Sequence, residues 1–440
     1  MSSAAILAAG LLALVAVMMC GVPIYLAFLL LNLAGVWFFF GSSGNGLLVN
    51  GVVDSLTSLN MTTIPLFVLM GEILFRSGAV EVLFDSVDQL IGRIRGRLYV
   101  FTIVLSTLFG ALCGSAVAVV AMLGRSVLPI MHKRGYDIKL SAAVIQGGAS
   151  LAPIIPPSII AVLIGSIANV SISSLLIAGI LPGLLLAAMS IGYVYWALWR
   201  DPSRAPVDEP EPPGTGSRQP WRKGWAFLRL LPFTLIIFSV MGLMLLGVAT
   251  PSESAATGVL GSLLTAACYR KLSWRMLKDA IVGSVRISTM ILAVVATSIL
   301  FGQLLAFTGA TTDLINWTTH LSLHPMLMFW LLMIVPFVLC MFIDQLAFML
   351  VAIPLYAPLV QTLGFDPIWF WTMFSINMTL ASLTPPFGYT MFALRAAAPD
   401  IITLQQVFAA SWPITWVFVL GMVVMTVVPQ IITVLPMLLK

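Results

Sequence analysis

Two polar, proline-broken segments inside otherwise apolar sequence hold the groups able to do chemistry. The first is Gly147-Gly148-Ala149-Ser150-Leu151-Ala152-Pro153-Ile154-Ile155-Pro156-Pro157-Ser158; the second is Asn377-Met378-Thr379-Leu380-Ala381-Ser382-Leu383-Thr384-Pro385-Pro386-Phe387-Gly388. Tandem prolines lack amide donors and turn the preceding residue away from helical angles. Backbone broken at membrane depth exposes groups that lipid cannot satisfy, so it is tolerated only inside protein or along a hydrated site. The freed carbonyls, with Ser and Thr hydroxyls, make an oxygen cage suited to a small hard cation. Half-helix N-termini nearby suit a substrate carboxylate. The bland alternative is a pair of kinked structural helices; two diproline motifs in one register argue against it.

That register is constant. Gly135-Tyr136-Asp137 pairs with Gly364-Phe365-Asp366 (364 − 135 = 229), and Pro156-Pro157 with Pro385-Pro386 (385 − 156 = 229). The same offset pairs Ser115 with Asp344. A carboxylate within Phe337-Val338-Leu339-Cys340-Met341-Phe342-Ile343-Asp344 is costly in a membrane and must be paired, hydrated or metal-bound. Asp344 is therefore the expected cation ligand, with a buried structural acid at a helix N-terminus as the alternative. Ser115 gains interest from its place opposite it. Glu72 and Gln303 are near-equivalent (303 − 72 = 231) and are expected to face one another across the repeat axis. Glu253 follows Pro251-Ser252, where a carboxylate complements a helix dipole, and is read as a cap. Arg286 and Arg395 are read as snorkelling, and Arg125 as lying at a hairpin mouth. His320 and His324 lack the Glu of a zinc-protease motif, and no Walker A or GxSxG sequence occurs.

The elements that position these residues must be membrane helices. Of 440 residues, 60% are hydrophobic and 8% charged, against roughly 25% charged in soluble domains. Apolar runs of ~20 residues recur along the chain. The first, Ala4–Cys20, has no Lys or Arg before it and is read as a retained helix rather than a cleaved signal. The net charge of +5 resides in short loops, so it speaks for membrane orientation and not for nucleic acid. Basic loops at Arg93–Arg97, Lys133–Lys139, Arg200–Arg229 and Arg270–Lys278 alternate with loops lacking Lys and Arg. The N-terminus is accordingly expected outside. Cys20, Cys113, Cys268 and Cys340 are scattered in apolar segments and read as packing residues.

Pro-rich Asp201–Gly224 divides the chain into two repeats. Tyr99–Met131 has basic residues at both flanks, so both ends belong on one side. As a single helix it would be roughly 50 Å long, and as two crossings about 24 Å each. A re-entrant hairpin with its tip near Cys113-Gly114-Ser115 fits better. Its counterpart, Pro325–Val360, has no Lys or Arg at either flank and is expected to enter from outside. The expected fold is thus an all-α polytopic membrane protein of two inverted repeats with re-entrant helical hairpins and broken helices. Its expected parts are scaffold helices over 1–60, a first repeat over 61–199 (hairpin 99–131, broken helix 138–166) and a linker over 200–225. Central scaffold helices over 226–283 and a second repeat over 284–440 (hairpin 325–360, broken helix 367–395) complete it.

Several blocks resemble one known family. Leu108 to Ile159, including Arg134-Gly135-Tyr136-Asp137 and Ile155-Pro156-Pro157-Ser158, is similar to the first-repeat signature of tripartite ATP-independent periplasmic (TRAP) transporter large subunits. Pro251–Gly258, Tyr269–Ala280, Met341–Phe370 and Leu383–Pro399 resemble the later blocks. The resemblance implies a bacterial inner-membrane protein working with a small four-helix membrane subunit and a periplasmic substrate-binding protein. It further implies sodium-driven uptake of an organic acid by an elevator-type motion. Carried over by motif, one Na+ site would use Gly114, Ser115, Gly148, Ser150 and Pro156, and the other Asp344, Thr379, Thr384 and Gly388. Substrate would lie near Ser115 and Ser150. The chain departs from the family pattern at Ala116, at Gly148-Ala149-Ser150-Leu151-Ala152 and at Arg125, which leaves substrate identity open. A stand-alone sodium–dicarboxylate symporter of similar architecture, or a membrane enzyme or scaffold without transport activity, are the competing readings.

Overall fold

The computed structural model describes residues 9–438 except 11, 15, 19, 78–94, 207–219, 322, 342–344 and 387. Regular structure among the described residues is helical throughout. Residues 9–18 are helical where described, and α1 (Ile24–Phe40), α2 (Asn45–Thr57) and α3 (Thr63–Arg76) follow. Next come α4 (Arg97–Cys113), α5 (Ala116–Ser126), α6 (Leu128–Lys133), α7 (Ile138–Ala149), α8 (Ile159–Ile167), α9 (Ile172–Ala178) and α10 (Ile180–Arg200). The central helices are α11 (Pro220–Leu245), α12 (Pro251–Cys268) and α13 (Trp274–Phe307). The chain ends with α14 (Ala310–His320), α15 (Pro325–Cys340), α16 (Gln345–Thr362), α17 (Pro367–Leu383), α18 (Tyr389–Ala397), α19 (Leu404–Val427) and α20 (Gln430–Met437). The expected linker is cut short at its far end: α11 already begins at Pro220, whose fixed φ suits a first helical turn.

Five helical stretches among the described residues are long and apolar enough to cross a membrane: 116–133, 172–200, 228–245, 274–307 and 404–427. Across the described residues, many large apolar side chains face outward and many polar ones inward. Phe38, Trp199, Trp274 and Leu246 are exposed, whereas Thr102, Ser106, Ser141, Gln146 and Ser150 are fully buried. Buried hydroxyls in a helix avoid an unmet donor by bonding back to the i−4 carbonyl. Thr102 donates to the Leu98 carbonyl and Ser106 to that of Thr102, each at 2.6 Å.

The 229-residue register reappears in local geometry. Gly135 and Gly364 both take left-handed angles (φ 77° and 70°). Asp137 and Asp366 each cap the next helix, accepting from the Leu140 and Trp369 amides at 2.8 Å. Ser150 and Thr379, again 229 apart, donate to the i−4 carbonyls of Gln146 and Ser375, both at 2.9 Å. The two halves therefore build the same turn and cap from the same residue types, and the same hydroxyl position from Ser in one and Thr in the other.

Each half also breaks its helices. Between α4 and α5, Gly114 is left-handed (φ 66°, ψ 8°) and Ser115 extended, its side chain capping α5 through the Ala118 amide at 3.4 Å. Residues 150–158 are non-helical between α7 and α8. Ser158 closes that break by donating to the Pro153 carbonyl and capping the Ala161 amide at 3.2 Å. In the second half α17 stops at Leu383, Thr384 is extended, and α18 restarts at Tyr389. Both spans are interrupted at the diprolines, not merely kinked. The α15–α16 connection contains Asp344, which lies outside the described residues.

A seam joins the first hairpin to the first broken helix. A methyl placed on Gly148 would lie 2.6 Å from Ser106 Oγ, and one on Gly110 2.9 Å from Ala152 Cα. Only hydrogen at these positions lets α4 approach the α7–α8 break. On the other side stands α13, 34 residues and about 51 Å long. Ser284 of α13 bonds the Pro65 carbonyl in α3 at 3.3 Å, and Asn32 of α1 bonds the Thr297 carbonyl at 2.7 Å. Thr250 and Glu253 form a capping box on α12, as the sequence reading expects, and the Thr250 hydrogen bonds hold the Glu253 carboxyl below the usual carboxylate range.

Candidate substrate and cation site

All four breaks and the α3–α13 pair converge on a cavity of about 480 Å³. The first hairpin contributes Gly114 and Ser115 at its tip, with Ala116, Val117 and Ala118 from the first turn of α5. The second contributes Gln345 and Leu346, the first residues of α16. Pro153, Ile159 and Ile160 come from the first broken helix and Tyr389 from the second. The facing wall consists of Val68, Gly71, Glu72 and Phe75 on α3 with Ile287, Met290 and Ile291 on α13. Three register pairs line this one space: Ala116 with Gln345, Val117 with Leu346, and Ile160 with Tyr389, each 229 apart.

The structure places the expected first cation set along the hairpin seam. Gly114 lies at the diproline break, a methyl there standing 3.5 Å from the Pro157 carbonyl oxygen. Gly148 and Pro156 are buried, and Ser150 is fully buried behind the cavity wall rather than on it. Of the two residues expected at substrate, only Ser115 lines the cavity. In the second set, Thr379 is fully buried and receives the Gln345 side-chain amide at 3.5 Å. Thr384 donates to the Leu380 carbonyl at 2.7 Å or shares its proton with Thr415 at 3.4 Å. Gly388 sits against the last turn of α17, where a methyl would lie 2.6 Å from the Ser382 carbonyl oxygen. A hydroxyl has one proton and two lone pairs. Ser150 and Thr379 spend their protons on helix carbonyls, which leaves oxygen acceptors able to serve a hard cation. No cluster of His, Cys, Asp or Glu among the described residues suits a transition metal.

Two residues of the cavity wall escaped the sequence reading. Gln345 is almost fully buried, receives the Tyr389 hydroxyl on Oε1 at 2.8 Å and reaches Thr379 with its amide nitrogen. It thus joins the second cation set to the cavity. The signal was available: applying the same offset to Ala116 and Ile160 leads to Gln345 and Tyr389.

The expectation for Glu72 and Gln303 is corrected. Glu72 pairs with Arg76 at 2.6 Å and packs against Gly283, whereas Gln303 lies against Gly51 on α2. Twenty residues of α13 separate Gly283 from Gln303, about 30 Å along its axis. Their likeness in sequence does not bring them face to face. Arg125 is exposed on α5, and Arg395 donates to the Pro399 carbonyl just beyond α18. His324 caps α15 through the Met326 amide at 3.3 Å.

Comparison with known proteins bears on what this cavity serves. The large permease protein UehC of the ectoine/5-hydroxyectoine TRAP transporter of Ruegeria pomeroyi is 28% identical over 88% of each chain. The C4-dicarboxylate TRAP transporter large permease protein DctM of Pseudomonas aeruginosa is 26% identical over 86% of each. In fold, the chain is similar to the YdaH transporter of Alcanivorax borkumensis, with a TM-score of 0.63 and 13% identity over 88% of each chain. Residues 11–431 match the model of the tripartite ATP-independent periplasmic transporter DctM component. With that match spanning both hairpins, both diproline breaks and the α3–α13 wall, the chain belongs to the family of TRAP transporter large permease subunits.

Proposed function

We propose that the chain imports an organic acid into the cell by coupling its movement to Na+, together with a small four-helix membrane subunit and a periplasmic binding protein that delivers the substrate. The relatives named above are permeases for ectoines and C4-dicarboxylates, and a carboxylate-bearing solute fits the neutral donors on the cavity wall, the Ser115 hydroxyl and the Gln345 amide that Tyr389 holds in place. The observation that carries the reading is the cavity shared by equivalent residues of both halves. A site made twice from one repeat, beside broken backbone, is the arrangement secondary transporters use for substrate and coupling ion. Gly114, Ser115, Gly148, Ser150 and Pro156 would hold one Na+, and Asp344, Thr379, Thr384 and Gly388 another. The two halves would run inverted in a bacterial inner membrane with the N-terminus periplasmic. The hairpins and broken helices would move as one body against a scaffold containing α3 and α13, as in an elevator.

The test is uptake into proteoliposomes holding the large and small subunits, with the binding protein added outside. Uptake should need an inward Na+ gradient, and Asp344→Asn should abolish it while the protein still elutes as a folded species. Unchanged sodium dependence in that variant removes the cation assignment, and uptake without the binding protein favours a stand-alone symporter.

A further inference from the structure

Glu72 is the charged side chain among the described residues of the cavity wall. It belongs to a face of α3 formed by Val68, Glu72 and Phe75, spaced as one helical stripe. Its side chain is 18% exposed and its Oε2 accepts Arg76 Nε at 2.6 Å, while Arg76, 38% exposed, is not part of the wall. The pair is held in place from behind. A methyl on Gly283 of α13 would lie 2.7 Å from Glu72 Oε2 and 2.9 Å from Arg76 Nη2. Arg76 therefore grips one carboxylate oxygen from outside the cavity, and Oε1 accepts no hydrogen bond among the described residues. Next to it, Phe75 adds an aromatic ring to the same wall. Across the space stand the neutral groups Ser115, Gln345 and Tyr389.

These two walls want different things. The neutral wall offers a carboxylate the Ser115 hydroxyl and the second proton of the Gln345 amide, Tyr389 fixing that amide from its oxygen side. The α3 wall offers a carboxylate oxygen and an aromatic ring, the pair of groups that favours a positively charged nitrogen. A second substrate carboxylate placed there would meet an acceptor-only carboxylate on the wall, the Arg76 guanidinium that offsets its charge not being part of that wall. We propose that the transported solute is a zwitterion, one carboxylate joined to a cationic nitrogen group, with the cationic end received by Glu72 and Phe75. This rests on reading the cavity as the substrate site.

The purified subunit tests this without its partners. Thermal unfolding in NaCl is followed by tryptophan fluorescence against millimolar zwitterions (glycine betaine, proline, a cyclic amidinium carboxylate) and dianions (succinate, malate). Ligand bound to the folded state raises the transition temperature in a concentration-dependent way. At least one zwitterion should stabilise the wild type more than either dianion, and Glu72→Gln should weaken its apparent affinity at least tenfold. Phe75→Leu, which leaves the ion pair intact, should weaken it severalfold, and both variants should keep the wild-type elution profile. Stronger stabilisation by dianions, or unchanged zwitterion affinity in both variants, overturns the proposal and leaves carboxylate transport standing. No stabilisation by any carboxylate overturns the cavity's assignment as well.

Discussion

Two glycines at the breaks are required for opposite reasons, and substituting each by alanine separates them. Gly388 has φ −52° and ψ 108°, angles any residue adopts, so alanine meets no backbone penalty there. Its methyl, however, would sit 2.6 Å from the Ser382 carbonyl oxygen and 3.2 Å from the Leu383 carbonyl carbon. A carbon rests about 3.3 Å or more from such an oxygen even in close contacts. The break would have to open by roughly 0.7 Å to reach that separation. Those atoms belong to the main chain of α17, and the Ser382 carbonyl also accepts the Thr390 hydroxyl at 3.1 Å. Overpacking costs ~1–3 kcal/mol and a lost hydrogen bond ~1 kcal/mol. Gly388→Ala should therefore destabilise by about 2–4 kcal/mol. At Gly114 the space is adequate, the nearest atom standing 3.5 Å away, but φ is 66°. Alanine there should cost ~1–2 kcal/mol, and asparagine less because it tolerates left-handed angles. Denaturant unfolding in a single detergent measures all three variants. Wild-type stability in Gly388→Ala, or Gly114→Asn weaker than Gly114→Ala, refutes the reasoning.

Tyr389→Phe removes the donor to Gln345 Oε1 and leaves a buried acceptor unmet, a loss of ~1–3 kcal/mol in the same unfolding assay; an unchanged midpoint would mean the acceptor finds another partner. Asp201, outside the membrane, is held below the usual carboxylate range by the Ser203 hydroxyl and amide and by Arg204. A depressed folded value stabilises above the unfolded value of about 4 and loses that effect as pH falls through the folded one. Hydrogen-exchange protection at Ser203–Ala205, corrected for intrinsic rate, should be level from pH 5 to 8 and fall below about 4. Asp201→Asn should show the low protection throughout.

The breaks were legible because their cause is local. Pro156-Pro157, Pro385-Pro386 and Gly114 interrupt helices through their own covalent geometry, and Asp137 and Asp366 cap the helices that follow them through amides three residues downstream. The Gln345–Tyr389 bond was not, because it joins residues 44 apart at the starts of two different helices, a meeting that no local signal reports. Nor does equal position in two repeats guarantee proximity. Glu72 meets α13 at Gly283 near its start, whereas Gln303 is near its end against α2, so helix length overrides the sequence match. Burial of Ser150 behind the wall was equally out of reach, since it depends on how closely α4 is admitted by Gly110 and Gly148.

What the two halves share and where they differ agrees with the proposed cation and solute sites. A monatomic cation has no ends, so two copies of one oxygen-rich arrangement serve it equally well. Ser150 and Thr379 make the same backward hydrogen bond with the same length. A solute with two unlike ends cannot use a symmetric pocket. At the cavity two of the three register pairs diverge, Ala116 with Gln345 and Ile160 with Tyr389, hydrocarbon in the first half and hydrogen-bonding groups in the second, while Val117 and Leu346 are both hydrocarbon. Ser115 is the polar exception on the first side, and Glu72 supplies the charge from α3. Restoring symmetry should thus harm recognition more than coupling. Gln345→Ala with Tyr389→Ile copies the first half's residues onto the second; among the described residues it removes the hydrogen-bonding groups the second half offers the cavity, and of the cation-set contacts it loses only the Gln345 amide on Thr379, whose own hydrogen bond to the Ser375 carbonyl stays.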